Sequence, residues 1–276
     1  RDFGVTVNPI PTLTDPADQV LCNNNNTQAV NFVGSVPNTV YSWQNNNISI
    51  GLAPGGTGNI GSFTAINTTT IPTVANVSVS PSFTNLGLTC TGITQDFNIT
   101  VNPSSVLSNQ NLAICSNNTL NINLNATLPA TYIWQATSNP NVTGETFTSQ
   151  NSASINDLLI NTTNIPQTVI YQVTTITTAN SCQSGPYQIA VIVNPLPDVQ
   201  FNTLNNPNCN LQPVIFVNNT PGNNAYTWTF GDNTSSVDED PTHVYQDFGS
   251  YNVTLEAIDV NTGCTNAVTN VINVFE

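Results

Sequence analysis

Apolar and polar residues alternate along several short stretches of the chain, with the period of two that is typical of half-buried β-strands. The clearest stretches are Val74–Ser80, Asp96–Val101, Ile170–Ile176 and Tyr187–Val193. Further strands are expected at Gln28–Val33, Thr39–Gln44, Leu120–Ala126 and Thr131–Ala136. The glycine-rich stretch Leu52–Gly61 is expected to be a loop. Because no long stretch has the 3.6-residue apolar period of an amphipathic helix, the pattern predicts an all-β protein.

The phrase Tyr-x-Trp occurs three times and contains every tryptophan of the chain. It stands at Tyr41–Trp43, Tyr132–Trp134 and Tyr226–Trp228, each time between two cysteines. The spacing indicates three copies of one unit of about 90 residues, which is large enough to fold as a domain. Because these aromatic residues keep a fixed place in the repeat, we expect them in the domain cores and not stacked on sugar rings.

Three related segments set the predicted domain boundaries, because each ends in Val-Asn-Pro. They are Asp2–Pro9, Asp96–Pro103 and Ala190–Pro195. Proline removes a backbone donor and restrains the preceding residue to extended conformations, so each segment is expected to end a strand. We therefore predict the last strand of a preceding repeat at 1–9, unit one at 10–103, unit two at 104–196 and unit three at 197–276, in a longer tandem array. Short proline-bearing linkers favour an extended rod, about 100 Å long if each sandwich measures about 35 Å.

The six cysteines fall two to a unit, which predicts disulfides within the units. The expected pairs are Cys22–Cys90, Cys115–Cys182 and Cys209–Cys264. Six cysteines allow fifteen connectivities, of which only this one repeats with the units. Free buried thiols are an alternative, whereas metal ligation is disfavoured because the chain has no Cys-x-x-Cys or Cys/His cluster. Disulfides imply an oxidising compartment, so we expect an exported protein at the cell surface.

The order of cysteine, tryptophan and cysteine among six or seven short strands is typical of an immunoglobulin-like β-sandwich. The first cysteine of each unit precedes the strand that leads to tryptophan, and the second lies in the turn before the last strand. Each bridge is therefore expected to join loops at one pole of its sandwich. A smaller landmark also recurs, because Ile66–Pro72 is nearly repeated as Ile160–Pro166.

Unit three contains three further motifs, at Tyr226–Asn233, Asp240–Tyr245 and Gly249–Leu255. They resemble the Trp-Asp-Phe-Gly-Asp-Gly, Asn-Pro-Thr-His-x-Tyr and Gly-x-Tyr-x-Val-x-Leu motifs of the polycystic kidney disease (PKD) repeat. Thr229 departs from the family's aspartate, and Asn233 replaces a glycine whose left-handed conformation asparagine also accepts. Asp240 stands where the family has asparagine before proline. The resemblance implies that the fold-supporting residues of this unit include His243, Tyr245 and Tyr251.

Units one and two keep Tyr-x-Trp but lack the Gly-Asp turn and the His-x-Tyr element. They are similar to the divergent PKD-like domains of giant cell-surface proteins of gliding and adhesive Bacteroidetes. For the whole chain, the resemblance implies tandem immunoglobulin-like domains with extracellular, adhesive or structural roles and no catalysis.

The ionisable residues exclude most other functions. The chain has one histidine, Arg1 as its only basic residue and fifteen acidic residues. Without cations to contact phosphate, nucleic acid and anionic membranes are poor partners. A nucleophile with a neighbouring base is close to excluded, and a glycosidase-type carboxylate pair would need a deep cleft that small sandwiches lack. We therefore expect no enzyme, and no apolar run is long enough to span a membrane.

Nine of the fifteen acidic residues lie in unit three, and four residues there form a candidate calcium site. They are Asp232, Asn233, Asp238 and Asp240. Their side chains carry the oxygen ligands that calcium prefers, although the spacing matches no EF-hand loop. A solvated acidic loop is the alternative interpretation, so calcium is only a possible cofactor.

Taken together, the sequence predicts a non-enzymatic fragment of a long secreted surface adhesin or appendage, in which disulfide-stapled repeats form a stalk. The expected partners are neighbouring repeats of the same chain, with surface polysaccharide or self-association as further possibilities. Strand edges without lysine favour a second hypothesis, a protomer of a self-assembling filament or layer. A third hypothesis is a polysaccharide-binding accessory region of a secreted hydrolase.

Overall fold

The chain folds into three tandem immunoglobulin-like β-sandwiches, each with its own core. The structure is a computed structural model that describes residues 4–204 and 208–276. The three cores are built from residues within 13–101, 107–193 and 199–274. Within the described ranges the structure is almost entirely β, with one short 3-10 helix at Ile48–Ile50. This confirms the predicted all-β, immunoglobulin-like class, whereas the exact boundaries of the units stay predictions.

Twenty-three strands follow one another along the described chain. Unit one contains β1 (Gln19–Cys22), β2 (Val40–Asn45), β3 (Gly55–Thr57), β4 (Thr73–Asn85), β5 (Leu88–Thr91) and β6 (Gln95–Asn102). Unit two contains β7 (Gln110–Cys115), β8 (Asn118–Thr119), β9 (Ile122–Asn123), β10 (Ala130–Ala136), β11 (Val142–Thr143), β12 (Ser154–Ile155), β13 (Leu158–Asn161), β14 (Gln167–Thr177) and β15 (Gln183–Asn194). Unit three contains β16 (Phe201–Thr203), β17 (Asn208–Cys209), β18 (Pro213–Asn218), β19 (Asn224–Thr229), β20 (Ser235–Ser236), β21 (Thr242–Val244), β22 (Gly249–Asp259) and β23 (Thr265–Phe275).

The main sheet has the same four-strand order in all three units. The orders are β1-β6-β4-β2, β7-β15-β14-β10 and β17-β23-β22-β19. In each unit the last strand pairs antiparallel with the long strand that precedes it (β4, β14 or β22) and parallel with a short strand near the start of the unit. This parallel pair places the end of the first strand beside the end of the last one, at the pole where the chain leaves the unit. We call this end of each sandwich the exit pole.

Alternating apolar residues fill the cores as the sequence pattern predicts. Along β4, Ala75, Val77 and Val79 are fully buried, while the residues between them are half-exposed. The tryptophan of each unit faces the same position of the neighbouring long strand, because Trp43 pairs with Val79, Trp134 with Val173 and Trp228 with Leu255. The three units are therefore copies in structure as well as in sequence.

Two predicted strands are wrong or much shorter in the structure. Gln28–Val33 forms only an isolated bridge between Val30 and Ile60, because the amide of Phe32 donates to the side-chain Oδ1 of Asn59 and not to a strand. Leu120–Ala126 is reduced to β9, and the predicted loop Leu52–Gly61 contains the short strand β3.

The described part of the strand predicted at residues 1–9 has no strand structure. Residues 1–3 lie outside the described residues, and residues 4–9 form no strand. A strand is defined by its partners, and none of the described strands pairs with this segment.

Candidate functional site

The described disulfides join consecutive units and not the two cysteines of one unit. Cys22 of unit one is bonded to Cys182 of unit two, and Cys115 of unit two is bonded to Cys264 of unit three, both with Cα atoms 5.5 Å apart. The predicted pairs Cys22–Cys90, Cys115–Cys182 and Cys209–Cys264 are therefore wrong. Each bond joins the first cysteine of a unit to the second cysteine of the next unit.

The first cysteine of each unit lies at the exit pole, because it ends the strand that runs parallel to the last strand. Cys22 faces Asn102 in the ladder of β1 and β6, and Cys115 faces Asn194 in the ladder of β7 and β15. The residue after each cysteine makes an equivalent backbone hydrogen bond to the last strand. Asn23 N donates to Asn102 O in unit one (2.8 Å), and Ser116 N donates to Asn194 O in unit two (2.8 Å). The cysteine is thus held where the next unit begins.

The second cysteine lies at the opposite end of the last strand, in a hairpin. In unit two, β15 starts beside Cys182 and runs 12 residues to Asn194, which is beside Cys115. At about 3.3 Å per residue, the two cysteines are separated by roughly 36 Å. A disulfide needs Cα atoms within about 7 Å, so a bridge inside the unit is impossible. The prediction failed because it placed both cysteines at one pole.

Two hairpins with related hydrogen bonds present the second cysteines. The amide of Thr177 donates to the carbonyl of Cys182 and the amide of Asp259 to that of Cys264, each at 2.9 Å. In unit three the Asp259 carboxylate accepts hydrogen bonds from both Asn261 N and Thr262 N at 2.9 and 2.8 Å. These hydrogen bonds lower the pKa of Asp259, the backbone bond from Thr262 being the largest cause. Both cysteines are fully buried, so each hairpin holds its sulfur atom in a defined position.

A buried asparagine fastens the exit pole directly beneath the first cysteine. In unit two, Asn161 Nδ2 donates to the carbonyls of Ile165 (2.7 Å) and Val193 (2.8 Å), while its Oδ1 accepts from Thr163 N and Oγ1, both at 2.8 Å. Its own amide donates to the hydroxyl of Ser116, the residue after the cysteine, at 2.9 Å. The side chain therefore ties the last strand to the turn at 163–165, and the backbone amide of Asn161 adds the segment that follows the first cysteine.

The same asparagine clasp is present in unit one. Asn67 Nδ2 donates to Ile71 O (2.8 Å) and Val101 O (2.7 Å), and its amide donates to Asn23 Oδ1 (2.8 Å). Asn67 and Asn161 belong to the repeated Ile-Asn-Thr-Thr landmark, so that landmark is the exit-pole clasp. The sequence shows that this landmark is repeated but not what it does. It has no alternation of apolar and polar residues, so the pattern does not indicate where it lies relative to the strands.

Cys90 and Cys209 are free thiols in the structure, both half-buried. Cys90 lies on β5 in the hairpin of unit one, and Cys209 ends β17 at the exit pole of unit three. They are the hairpin cysteine of the first unit and the exit-pole cysteine of the last unit. The prediction that all six cysteines form disulfides is therefore not met within this chain.

The acidic residues of unit three do not converge on one point. Asp232 Oδ2 lies 2.7 Å from His243 Nε2, and Asp240 Oδ1 accepts from the amide of Asn218 at 2.8 Å. The carboxylate of Asp238 accepts from the hydroxyl of Ser236 at 3.0 Å. Among residues 4–204 and 208–276, no three histidine, cysteine or acidic side chains form a group that could hold a metal ion. Asn233 takes a left-handed turn conformation with φ of 69°, and calcium binding stays a prediction.

His243 lies in an aromatic and acidic setting in unit three. Its ring stacks on Phe230 at 4.3 Å between centroids and meets the edge of Tyr245 at 4.6 Å. Tyr245 in turn stacks on Tyr251 at 4.1 Å and donates its hydroxyl to Phe230 O at 3.0 Å. The described contacts of His243 are thus those of a residue that supports the fold.

Asp232 is expected to make the stability of unit three depend on acidic pH. Burial acts to raise the pKa of Asp232, but hydrogen bonds from Thr234 and His243 outweigh it and hold the pKa below its ordinary value. A lowered carboxyl pKa contributes stability that is complete above the ordinary value and is lost as pH falls through the native one. We expect the unfolding free energy of unit three to fall below about pH 4, and to fall less steeply in Asp232→Asn.

The measurement for Asp232 is urea unfolding between neutral and acidic pH, in a chain with Trp43→Phe and Trp134→Phe so that the fluorescence comes from Trp228 in unit three. Glu256 is exposed on β22, so Glu256→Gln controls for the loss of one negative charge. A slope in Asp232→Asn that equals the slope of the parent chain would contradict the role of this carboxylate.

The three tryptophans are buried in the cores. Trp43 is 8% exposed, Trp134 5% and Trp228 0%. Trp134 Nε1 donates to Ser152 O at 3.1 Å, and Trp228 Nε1 donates to Asp238 O at 3.0 Å. Little of any indole face is therefore open for stacking on a sugar.

The tyrosines of the Tyr-x-Trp phrases lie against the same cores. Tyr132 is buried, whereas Tyr41 and Tyr226 are partly buried and pack against their core clusters. The ring of Tyr41 lies 5.6 Å from that of Phe32. The fixed place of these residues in the repeat is thus a packing position.

Sequence reasoning missed the short parallel strands, which decide the disulfide pairing. Their only signal is an apolar pair in front of two of the exit-pole cysteines, Val20 and Leu21 before Cys22 and Ala113 and Ile114 before Cys115. Pairing between the first and last strands of a unit joins residues about 80 positions apart, and periodicity carries no information on such partners.

Comparison with known domain families places two of the units. A PKD-like domain family matches residues 112–197, and a PKD domain family matches residues 192–274. Among curated proteins no significant relative is found.

Among solved structures, the chain is similar to an I-band fragment of titin, with 10% identity, a TM-score of 0.41 and 98% and 99% of the two chains covered. It is also similar to a fragment of mouse cadherin-23, with 11% identity, a TM-score of 0.34 and coverage of 97% and 99%. These likenesses concern the fold alone. The two family matches follow one another along the chain, so residues 112–274 consist of a PKD-like domain and a PKD domain in tandem.

Proposed function

We propose that this chain is a non-catalytic, load-bearing stalk segment of an exported surface adhesin or appendage. The observation that carries the proposal is the pair of disulfides between consecutive domains. PKD-type and immunoglobulin-like repeats are typically non-catalytic, and such domains with disulfides fit an extracellular location. No helix of the described residues has the length and apolarity needed to span a membrane.

Each junction between domains has two covalent connections in place of one. The first is the main chain, which is stiffened by Pro103 at one junction and by Pro195 and Pro197 at the other. The second is the disulfide from the exit pole to the hairpin of the next unit. A single short linker leaves a hinge free to bend, whereas two separated attachments restrict both bending and twisting. This arrangement suits a spacer that holds a distal part away from the cell.

Reduction is expected to loosen the chain without unfolding its domains. In small-angle X-ray scattering, the oxidised chain should be a monomeric rod of about 100 Å, since three sandwiches of about 35 Å follow one another. After treatment with a phosphine reductant the distance distribution should broaden and its mean should shorten, because the main-chain linkers alone then act as hinges.

The matched control for this experiment is the double variant Cys90→Ser with Cys209→Ser, which retains both described disulfides. It should respond to the reductant as the parent does. Identical scattering profiles before and after reduction, with loss of both disulfides verified by mass spectrometry, would refute the stiffening role.

A further inference from the structure

The two free thiols occupy the same structural positions as the bonded cysteines of the other units. Cys209 faces Phe275 in a parallel ladder, as Cys22 faces Asn102 and Cys115 faces Asn194. The turn after it is also the same, with Asn210 N donating to Phe275 O at 2.7 Å. Cys209 is therefore a complete exit-pole cysteine without a hairpin cysteine opposite it.

Cys90 has the complementary position on the hairpin of unit one. Its sulfur lies 4.0 Å from the carbonyl oxygen of Asn8, and Asn85 on the same hairpin donates to Asn8 Oδ1 at 3.0 Å. Asn8 belongs to a Val-Asn-Pro segment whose counterparts, Asn102 and Asn194, face Cys22 and Cys115 in the ladders. The place opposite Asn8 is where the exit-pole cysteine of a repeat would lie, within reach of Cys90.

The segment before Asn8 gives an independent sign that a repeat belongs there. Val5 and Val7 are 85% and 84% exposed, although they alternate as in a strand. In the nearly identical segment of unit one, the corresponding Ile99 and Val101 are fully buried in the core. An apolar face of this kind needs the core of a sandwich to cover it.

We propose that Cys90 and Cys209 are the two open half-sites of the same disulfide series. Cys90 bonds to the exit-pole cysteine of a PKD-type repeat whose last strand is residues 4–8. Cys209 bonds to the hairpin cysteine of a PKD-type repeat that packs on unit three. The series then joins each of these repeats to the next, and all six cysteines of this chain are disulfide-bonded. This inference rests on the proposed stalk function.

The bond forms by oxidation of two thiols. The thiolate of one cysteine attacks oxidised glutathione, forms a mixed disulfide with one glutathione and releases the other. The second thiolate then attacks the protein sulfur of the mixed disulfide, closes the protein disulfide and releases the remaining glutathione. Two electrons and two protons pass to glutathione, which leaves as two reduced molecules. The packing of the two repeats holds both thiols together at a high effective concentration, which favours this bond over others.

The test extends the chain by a second copy of unit two, whose two cysteines both form disulfides to neighbouring units. In the first variant, a second copy of residues 104–195 replaces residues 1–9, so that its own Val-Asn-Pro stands where Asn8 stands now. The protein is equilibrated in oxidised and reduced glutathione, blocked with N-ethylmaleimide and mapped by peptide mass spectrometry. We expect a bond between Cys90 and the added copy of Cys115, and a fall of about tenfold or more in alkylation of Cys90.

A second variant carries residues 104–195 after Glu276 and tests the other half-site independently. There we expect Cys209 to bond to the added copy of Cys182. The controls are the same extended chains with Cys90→Ser or Cys209→Ser, in which the added partner cysteine should become alkylated. If one extension fails to fold by circular dichroism, the other carries the test.

Two outcomes would overturn the inference. In one, the extended chain folds while Cys90 and Cys209 stay as alkylated as in the parent chain. In the other, the added repeat closes a bond between its own two cysteines. Failure of the stalk function is distinguishable, because it would appear in the parent chain as absence of the Cys22–Cys182 and Cys115–Cys264 bonds.

Discussion

Pulled from its two ends, the oxidised chain is expected to extend far less than the same chain after reduction. With both disulfides closed, the shortest covalent path from Cys22 to Cys264 passes through Cys182, runs backwards along residues 182–115 and crosses to unit three. At about 3.6 Å per residue, that path measures about 24 nm when fully stretched, against about 87 nm for the uninterrupted chain. The disulfides therefore set a hard limit on extension.

The geometry of unit two adds mechanical resistance to this limit. Load enters at Cys182, beside the start of β15, and leaves at Cys115, at the end of β7. The two strands are parallel neighbours with six paired residues, from Ile189 with Gln110 to Asn194 with Cys115. Because they are loaded at opposite ends, force shears the ladder along its length, and all its hydrogen bonds resist together.

Single-molecule force spectroscopy measures this extension directly. The parent chain and the Cys90→Ser, Cys209→Ser variant should both gain about 60 nm of releasable length on reduction. Cys22→Ser with Cys182→Ser, which opens only the first junction, should give an intermediate value under oxidising conditions. Release of the full contour length before reduction would show that the described disulfides do not carry the load.

The fold was predictable because its signals are local. Alternation along Val74–Ser80 and Ile170–Ile176 marks strands that the structure extends at both ends as β4 and β14. The number of Tyr-x-Trp phrases equals the number of units, because the tryptophan of each unit pairs with the same position of the neighbouring long strand. The all-β, tandem immunoglobulin-like architecture therefore follows from periodicity and repetition.

The disulfide pairing was not predictable, because it depends on which strands become neighbours. The repeat argument assumed that bonds respect unit boundaries, although a bond from each unit to the next repeats with the same regularity. The parallel pairing of β7 with β15 decides between the two schemes, because it moves Cys115 to the far end of the sandwich from Cys182. Such a choice is visible only in three dimensions.

The candidate calcium residues are close together in the sequence, but their side chains make hydrogen bonds to different parts of unit three. Asp238 and Asp240 are two positions apart, yet one carboxylate accepts from Ser236 and the other from the backbone of Asn218. Asp232 is occupied by Thr234 and His243. The sequence shows that several carboxylates lie near one another along the chain. It does not show the hydrogen bonds that orient each carboxylate.

Loss of the asparagine clasp is expected to weaken unit two at its exit pole. Asn161→Ala removes the Nδ2 hydrogens that are donated to the carbonyls of Ile165 and Val193, and the Oδ1 atom that accepts two hydrogen bonds from Thr163. Because the site is buried, the abandoned carbonyl groups have little access to water, and we expect the unit to lose about 3 kcal/mol. Hydrogen-exchange mass spectrometry should show about 100-fold faster exchange of the β7 and β15 amides, since 1.4 kcal/mol corresponds to a factor of ten.

Two further variants separate the hydrogen bonds of this clasp from its volume. Asn161→Asp keeps the shape but turns the donor face into an acceptor that meets two carbonyl oxygens, so at neutral pH it should destabilise unit two at least as much as alanine does. Asn164→Ala, at an exposed position three residues away, should leave the exchange rates unchanged. If Asn161→Asp were tolerated while Asn161→Ala was not, packing volume and not hydrogen bonding would hold the pole. In that case the position of Cys115 would depend on the pairing of β7 with β15 and not on the hydrogen bonds of Asn161.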